Sequence, residues 1–589
     1  MQPITPPRRG PAAWRRPLVW LTLALVTLVL TWPGLGQGLG HSPEELRRLA
    51  IAVQMVSSGD PNPHWFGHPA TLLIHLQAAL LWIAHWFLPD RDVRALYLSE
   101  PGPLIVGTRV LARLAGVAAV IATYELARPA LGSRWALLAG GLTALNPLFI
   151  LYGHRGRADH ILSLILVLAV AALIALQRQP DRRGITRLAL LTGLGITFKY
   201  SAGGVLLAGL AALAARCGLG RAGLRRLALL AGLTLLVTVV ASPFLFLDWR
   251  ASLSGLSGEV TKQGGWTPHH NLIRTAQVLL YAYHPAGAGL LALGAGRGLL
   301  ACWRGGPAGL RRLVANPEGA LLPALVLVGL VQTLPVLLAS AFSPTWLGPL
   351  VPLCTLVIVS QLAWLWRRLR SWGTGPALLA TALPLVAMVA QQLPDVARLR
   401  WIRQQPQPTT ARAEAWLASR LRPGQRVLLL QGSFKSRDVF PRVRVPGVVL
   451  LAATDAGPIQ IVCPGERGDR FALEGSLIHD VCYPRPFLRS LSRRPLAELL
   501  HDHDAIVVAS SNPLTPDISA WLDAVPAAAV FRRPTPPGGR PSPILDTVYS
   551  HGDFGVWTEV RVYLRQGVSP AVRSAPGAGR GSSGPSPQT

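Results

Sequence analysis

The sequence predicts an α-helical polytopic membrane protein of about eleven spans, followed by a small C-terminal α/β domain. Three observations support this. Half of the 589 residues are apolar and only 14% are charged, against about a quarter charged in soluble globular chains. Apolar runs of roughly 20 residues, the length a helix needs to cross a bilayer, recur along the first two thirds of the chain. After Leu393 the long runs stop and charges return. This pattern excludes a single soluble core, and it excludes wholesale disorder, which requires low hydrophobicity. The formal charge of +29 could suit nucleic acid, but the arginines cluster between apolar runs, where they orient a membrane protein. No nucleic-acid partner is therefore expected.

Arg8, Arg9, Arg15 and Arg16 precede the first apolar run, 18–35, and no small-residue cleavage site follows it. Residues 1–16 therefore read as a cytoplasmic N-terminus and the run as a retained helix. Ten further spans fall at about 104–126, 135–153, 161–176, 188–198, 201–215, 227–247, 285–302, 320–341, 346–365 and 376–392. The span containing Arg297 is the weakest. The run 69–88 is also apolar, and arginine distribution decides its place. With 69–88 in the outer interface, the inner segments hold 20 arginines in about 73 residues, and the outer ones 10 basic residues in about 117. That asymmetry is the one expected of cytoplasmic loops, and counting 69–88 as a span would invert it. The transmembrane domain is thus 17–395, with a first outer loop at 37–103. An odd number of spans leaves the tail outside a multi-pass plasma-membrane protein embedded in membrane lipids.

In the tail, Arg426–Gln431, Gly447–Ala452 and Asp504–Ala509 read as short buried strands, and Val556–Leu564 alternates as a terminal strand. Ala411–Leu421 and Ile518–Val525 read as amphipathic helices. Together they predict an extracytoplasmic α/β domain over 405–566. The Gly/Ser/Pro/Arg-rich stretch 567–589 is expected to be disordered. Cys463 and Cys482 are the two cysteines of this domain. An oxidising compartment would suit a bond between them, and two free buried thiols fit the spacing equally well.

Polar groups concentrate at the outer side. The first loop carries His41-Ser42-Pro43-Glu44-Glu45 and then Gly59-Asp60-Pro61-Asn62-Pro63-His64-Trp65-Phe66-Gly67-His68. Glu44 and Glu45 can complement a helix N-terminus capped by Ser42, or one of them can serve as a general base at the membrane surface. Arg155, Arg157 and Asp159 lie together between the third and fourth spans. Burying an acid at a span end costs roughly 2–3 kcal/mol, so Asp159 is expected to pair with Arg155 or Arg157, or to face a polar cavity. Lys199 is the lone cation of the hairpin between the fifth and sixth spans. Arg109 and Arg113 lie four apart, on one face of the second span. A mixture of acids and cations at one face suits a phosphate-bearing ligand, with the cations on phosphate and an acid left for proton transfer. No His/Cys/Asp spacing has a closed metal-site pattern. His41, His64 and His68 read as interfacial hydrogen-bonders rather than ligands, and no cofactor is required, a divalent metal being the one possible addition.

The order of these features resembles the GT-C glycosyltransferases, in particular the family 39-like group of protein O-mannosyltransferases and the aminoarabinose transferase of lipid A. The features are an arginine-flanked first helix, Pro-acid-acid and Gly-Asp in the first loop, an arginine in the next helix, an Asp closing the third and a Lys between the fifth and sixth. The resemblance covers about 17–395. It implies transfer of a sugar from a polyprenyl-phosphate carrier to a lipid, glycan or protein acceptor by direct displacement with inversion. It places the base at Glu44 with Glu45 as the alternative, the second acid at Asp159, the phosphate lysine at Lys199 and the second-helix arginine at Arg109. Arg155, Arg157, His64 and Asp60 complete the expected substrate contacts. Two positions depart from the family pattern. Glu44 stands where Asp is usual, and Ser343-Pro344-Thr345-Trp346-Leu347 replaces an Arg-Tyr loop. Two other readings remain. One is a transporter of a lipid-linked or anionic substrate, which should carry its charges near mid-membrane in two related halves. The other is a catalytically inactive assembly protein.

Overall fold

The computed structural model describes residues 12–404 apart from 34, 36–42, 67–69, 88–92, 94–95, 97–100, 154, 262–267, 316 and 339–345. Beyond these it describes chiefly 427–431, 496–502, 505–510, 523–532 and 559–565. The chain divides into two compact units, Met1–Pro406 with Thr535–Val548, and Gln407–Pro534 with Tyr549–Thr589.

The first unit is all helical. Its helices are α1 (Ala12–Thr31), α2 (Pro43–Ser58), α3 (Thr71–Phe87), α4 (Pro101–Leu131), α5 (Ser133–Leu145), α6 (Pro147–Gly153), α7 (Asp159–Arg178), α8 (Arg182–Phe198), α9 (Gly203–Cys217), α10 (Arg221–Ala241), α11 (Phe244–Leu247), α12 (Trp249–Thr261), α13 (Pro268–Ala315), α14 (Pro317–Leu338), α15 (Val351–Leu369) and α16 (Thr374–Gln404). Seven helices among the described residues are long and apolar enough to cross a membrane. Counting the bent pair α5–α6 as one span gives up to eight. Arg16–Thr31, Thr71–Trp86 and Ala320–Leu334 are shorter apolar helices. The chain is therefore a polytopic α-helical membrane protein, and a helix stands at each of the eleven expected spans. The run 69–88 forms α3, whose Trp82, Ile83 and Trp86 are exposed.

Helix α4 is central, packing against α1, α5 and α7. Within the bundle, hydroxyl groups bond back to their own helix: Thr27 to the Leu23 carbonyl, Thr123 to Ala119, Thr143 to Ala139 and Thr192 to Leu188, all at 2.7–2.8 Å. No water is available in hydrocarbon, so polar groups must find partners inside the protein. Helix α13 obeys the same rule at a break. Pro285 has no N–H to give the Tyr281 carbonyl, and His284 takes φ 62°. The Ala286 N–H donates to His284 Nδ1 at 3.2 Å. Gln391 of α16 donates to the Tyr281 carbonyl. Gln392 and Asn146 donate to that of Ala282 at 2.8 and 3.3 Å. Arg297, the charge in the weakest expected span, donates to Gln361 at 2.6 Å and lies 4.0 Å from the Trp364 ring centroid.

The second unit holds a four-stranded sheet and a short helix, α17 (Leu496–Asp502). The strands are β1 (Val427–Gln431), β2 (Ala505–Ser510), β3 (Ala529–Arg532) and β4 (Glu559–Leu564), in the order β1-β2-β4-β3. Strands β1 and β2 are parallel and the other pairings antiparallel. Three of the expected strands are present. Strand β3 and helix α17 were not anticipated, because four and seven residues are too few to show a period. The expected strand 447–452, Cys463, Cys482 and the 567–589 tail lie outside the described residues, as do most of 411–421 and half of 518–525.

Candidate active site

The site is built where α2, α4, the 155–158 turn, the first turn of α7 and the C-terminal end of α8 meet. Glu45 and Arg48 stand three apart on α2 and so face the same side. Both grip one peptide group. The Gly156 N–H donates to Glu45 Oε1 at 2.7 Å, and Arg48 Nη2 donates to the Gly156 carbonyl at 3.2 Å. A side chain at 156 would not fit, because a Cβ there would lie 2.9 Å from Glu45 Oε1 and 3.0 Å from Thr108 Oγ1. From α4, Arg109 closes a bidentate pair on Glu45, with Nε to Oε1 at 2.8 Å and Nη2 to Oε2 at 2.9 Å. Its Nη1 donates to the Leu35 carbonyl at 3.1 Å. Burial alone pushes the Glu45 carboxyl up. The charge and hydrogen bonds of Arg109, the Gly156 N–H and the charge of Arg48 outweigh it and hold Glu45 below the usual carboxylate range.

The second acid is also fully paired. Asp159 opens α7, where a negative charge complements the helix dipole. Its Oδ1 accepts from Lys199 Nζ at 2.8 Å and its Oδ2 faces Arg157 Nε at 2.8 Å. Lys199 ends α8 in extended conformation. The side chains of Asp159 and Arg157 are 3% and 8% exposed, and that of Lys199 is 17% exposed. His160, next in sequence, stacks on Phe149 at 4.1 Å. Its ring nitrogens lie 3.1 and 2.9 Å from the Ala112 and Phe149 carbonyls. A Cβ at Gly116 or Gly153 would strike this ring, at 2.3 and 2.1 Å. The ring therefore ties the start of α7 to α4 and α6.

The structure thus brings together Glu45, Arg109, Arg157, Asp159 and Lys199. It places Arg155 in the same turn, buried, with its guanidinium 5.7 Å from the Tyr152 ring centroid. Arg109 and Arg157 each face a carboxylate, because a buried charge demands a close counter-ion. Asp159 pairs with Arg157, as expected, and also with Lys199. Glu44 is the second residue of α2, and its side chain lies outside the described residues. Asp60 and His64 form a separate, exposed group. His64 Nε2 is 2.8 Å from Asp60 and its Nδ1 3.4 Å from Asp248. The Asn62 N–H and His64 hold Asp60 below the usual range. The reading of the sequence missed Arg48, Gly156 and His160. The three-residue spacing from Glu45 was the one signal that could have found Arg48.

No three His, Cys, Asp or Glu side chains among the described residues come together as metal ligands. Guanidinium and ammonium groups neutralise both described carboxylates of the cluster, Glu45 and Asp159.

The fold and these paired acids and cations define a polytopic helical membrane protein with a buried, charge-paired polar cluster. Residues 101–246, from α4 to α11, match the family described as dolichyl-phosphate-mannose-protein mannosyltransferase. The matched segment contains Arg109, Arg155, Arg157, Asp159 and Lys199, and it bears out the resemblance to GT-C enzymes there. No curated protein matches the chain. Among solved structures, the chain is similar to ArnT from Cupriavidus metallidurans bound to undecaprenyl phosphate, with 14% identity over 94% of this chain and 98% of that one and a TM-score of 0.47. It is also similar to the Archaeoglobus fulgidus oligosaccharyltransferase complex with Zn and sulfate, with 13% identity over 72% of this chain and a TM-score of 0.45. The match spans 61% of that archaeal chain. The Saccharomyces cerevisiae protein O-mannosyltransferase Pmt1-Pmt2 complex bound to the sugar donor matches at 17% identity over 43% of this chain and 35% of that one, with a TM-score of 0.32.

Proposed function

We propose that this protein transfers a sugar from a polyprenyl-phosphate carrier to a lipid, glycan or protein acceptor at the outer face of the plasma membrane, with its C-terminal unit on that side. The observation that carries this reading is the contrast among the charged groups. Glu45 with Arg109 and Asp159 with Arg157 are buried pairs, whereas Lys199 is held by Asp159 and remains partly exposed. Lys199 is the cation for the carrier phosphate, and Asp159 aims its ammonium group. An ammonium group held in place before the reaction stabilises the charge that develops on the departing phosphate without reorganising.

Glu45, with both oxygens on Arg109, is a positioning residue that fixes the first turn of α2. Glu44 is the general base. Neighbouring residues on a helix point about 100° apart, so anchoring Glu45 sets the direction of Glu44. The acceptor hydroxyl or amine gives its proton to Glu44 as its oxygen or nitrogen bonds the anomeric carbon and the polyprenyl phosphate departs. This single displacement inverts the anomeric configuration. The test is transfer from an undecaprenyl-phosphate-linked sugar by the purified protein in a detergent micelle, without a second compartment. Glu44→Gln should slow transfer by about 10²–10⁴. Parent-rate transfer by Glu44→Gln would remove Glu44 from the mechanism, and movement of the substrate without transfer would favour the transporter reading.

A further inference from the structure

Arg113 has no role in that mechanism, and its surroundings are unusual. It is 1% exposed. Its Nε donates to the Thr31 carbonyl at 2.8 Å, while Nη1 and Nη2 have no hydrogen-bond partner among the described residues. Helical side chains lean toward the N-terminus of their helix. The lean carries this guanidinium from α4 to the level of Thr31, the last residue of α1. Glu45 lies within charge-interaction range, but its two oxygens already serve Arg109 and Gly156.

The local charge balance points the same way. Arg48, Arg109, Arg113, Arg155, Arg157 and Lys199 lie in or beside the cluster that holds two described carboxylates, Glu45 and Asp159. Adding the Glu44 carboxylate and the single negative charge of a sugar phosphodiester still leaves two positive charges over. A guanidinium out of water with two donor nitrogens unused is costly. Its planar fork matches two oxygens of one oxyanion.

We infer that Arg113 is an oxyanion subsite that takes a second negatively charged group of the substrate, a phosphate or a carboxylate, on its Nη pair. The inference rests on the carrier-phosphate reading of Lys199, which accounts for the first. The second anion has two chemical sources. It is either the second phosphate of a diphosphate-linked carrier or the carboxylate of an acidic sugar.

The test uses the full chain in lipid nanodiscs and three ligands: undecaprenyl-phosphate hexose, undecaprenyl-diphosphate hexose and undecaprenyl-phosphate hexuronate. One of the two doubly charged ligands should bind about ten- to a hundredfold more tightly than the singly charged one, the range of one or two charge-assisted hydrogen bonds. Which of them does so identifies the source. Arg113→Met should abolish the preference, and Arg113→Lys, which keeps the charge, should restore part of it. Equal binding of all three ligands by the parent, or a preference that survives in folded Arg113→Met or Arg113→Lys protein unchanged, overturns the subsite. Lys199→Met separates the two claims. Weaker binding of all three ligands supports the carrier-phosphate role whatever Arg113 does, and unchanged binding of all three refutes that role.

Discussion

Replacing Glu45 by Gln should damage stability, and replacing its neighbour should damage turnover. Glu45 and Arg109 are 2% and 3% exposed and share two hydrogen bonds. Glu45→Gln keeps an oxygen for the Gly156 N–H but strands the guanidinium without a counter-ion and turns an NH₂ group toward it. Breaking one side of a buried pair costs about 3–5 kcal/mol. The retained oxygen places this case near the lower bound. The assay is thermal unfolding of the purified protein, followed by tryptophan fluorescence, with a fall of several degrees expected. Glu45→Gln combined with Arg109→Leu should recover at least half of that fall, because no charge is then stranded. The pH dependence has a definite sign. The folded-state carboxyl is held below its ordinary value, so its contribution is present above about pH 4.3, the ordinary glutamate value. It is lost as pH falls through the lower folded-state value. The stability difference between parent and Glu45→Gln should therefore be constant from neutral pH to about pH 5 and shrink only in stronger acid. A melting temperature within a degree of the parent, with no coupling to Arg109, would refute the assignment of Glu45 as the anchor of α2.

Further outcomes follow from the same geometry. Asp159→Asn should raise the KM for the polyprenyl-phosphate donor more than it lowers kcat, because it frees Lys199 from its 2.8 Å contact; steady-state kinetics over a donor series would show the split. Gly156→Ala should weaken both folding and transfer, since its Cβ would press on Glu45 and Thr108, and a lowered melting temperature checks this. A reporter active only outside the cytoplasm should be active after residue 400 and silent near Arg183. The opposite pattern would make α3 a true crossing and reverse the side on which the site lies.

Much of the architecture was legible because hydrocarbon imposes a length and a composition that a sequence displays directly. The apolar runs, the arginine clusters and the change of composition after Leu393 suffice for a polytopic helical bundle with a distinct C-terminal unit. The order of Glu44-Glu45, Arg109, Asp159 and Lys199 likewise marked the polar cluster and its resemblance to GT-C enzymes. Short elements such as Ala529–Arg532 stayed hidden, because four residues define no period.

Which charges face which was decided only by tertiary structure. Glu45 lies 64 residues from Arg109 and 111 from Gly156, and Asp159 lies 40 from Lys199. Sequence supplies the residue types but not the packing of α2 on the 155–158 turn that selects the partners. Arg48, Gly156 and His160 gain meaning from that packing alone: one peptide group held from both sides, a missing Cβ, and a ring filling the space left by Gly116 and Gly153. A linear motif records which acids and bases are present. Their roles depend on which of them burial has already paired, and pairing is a property of distance in three dimensions.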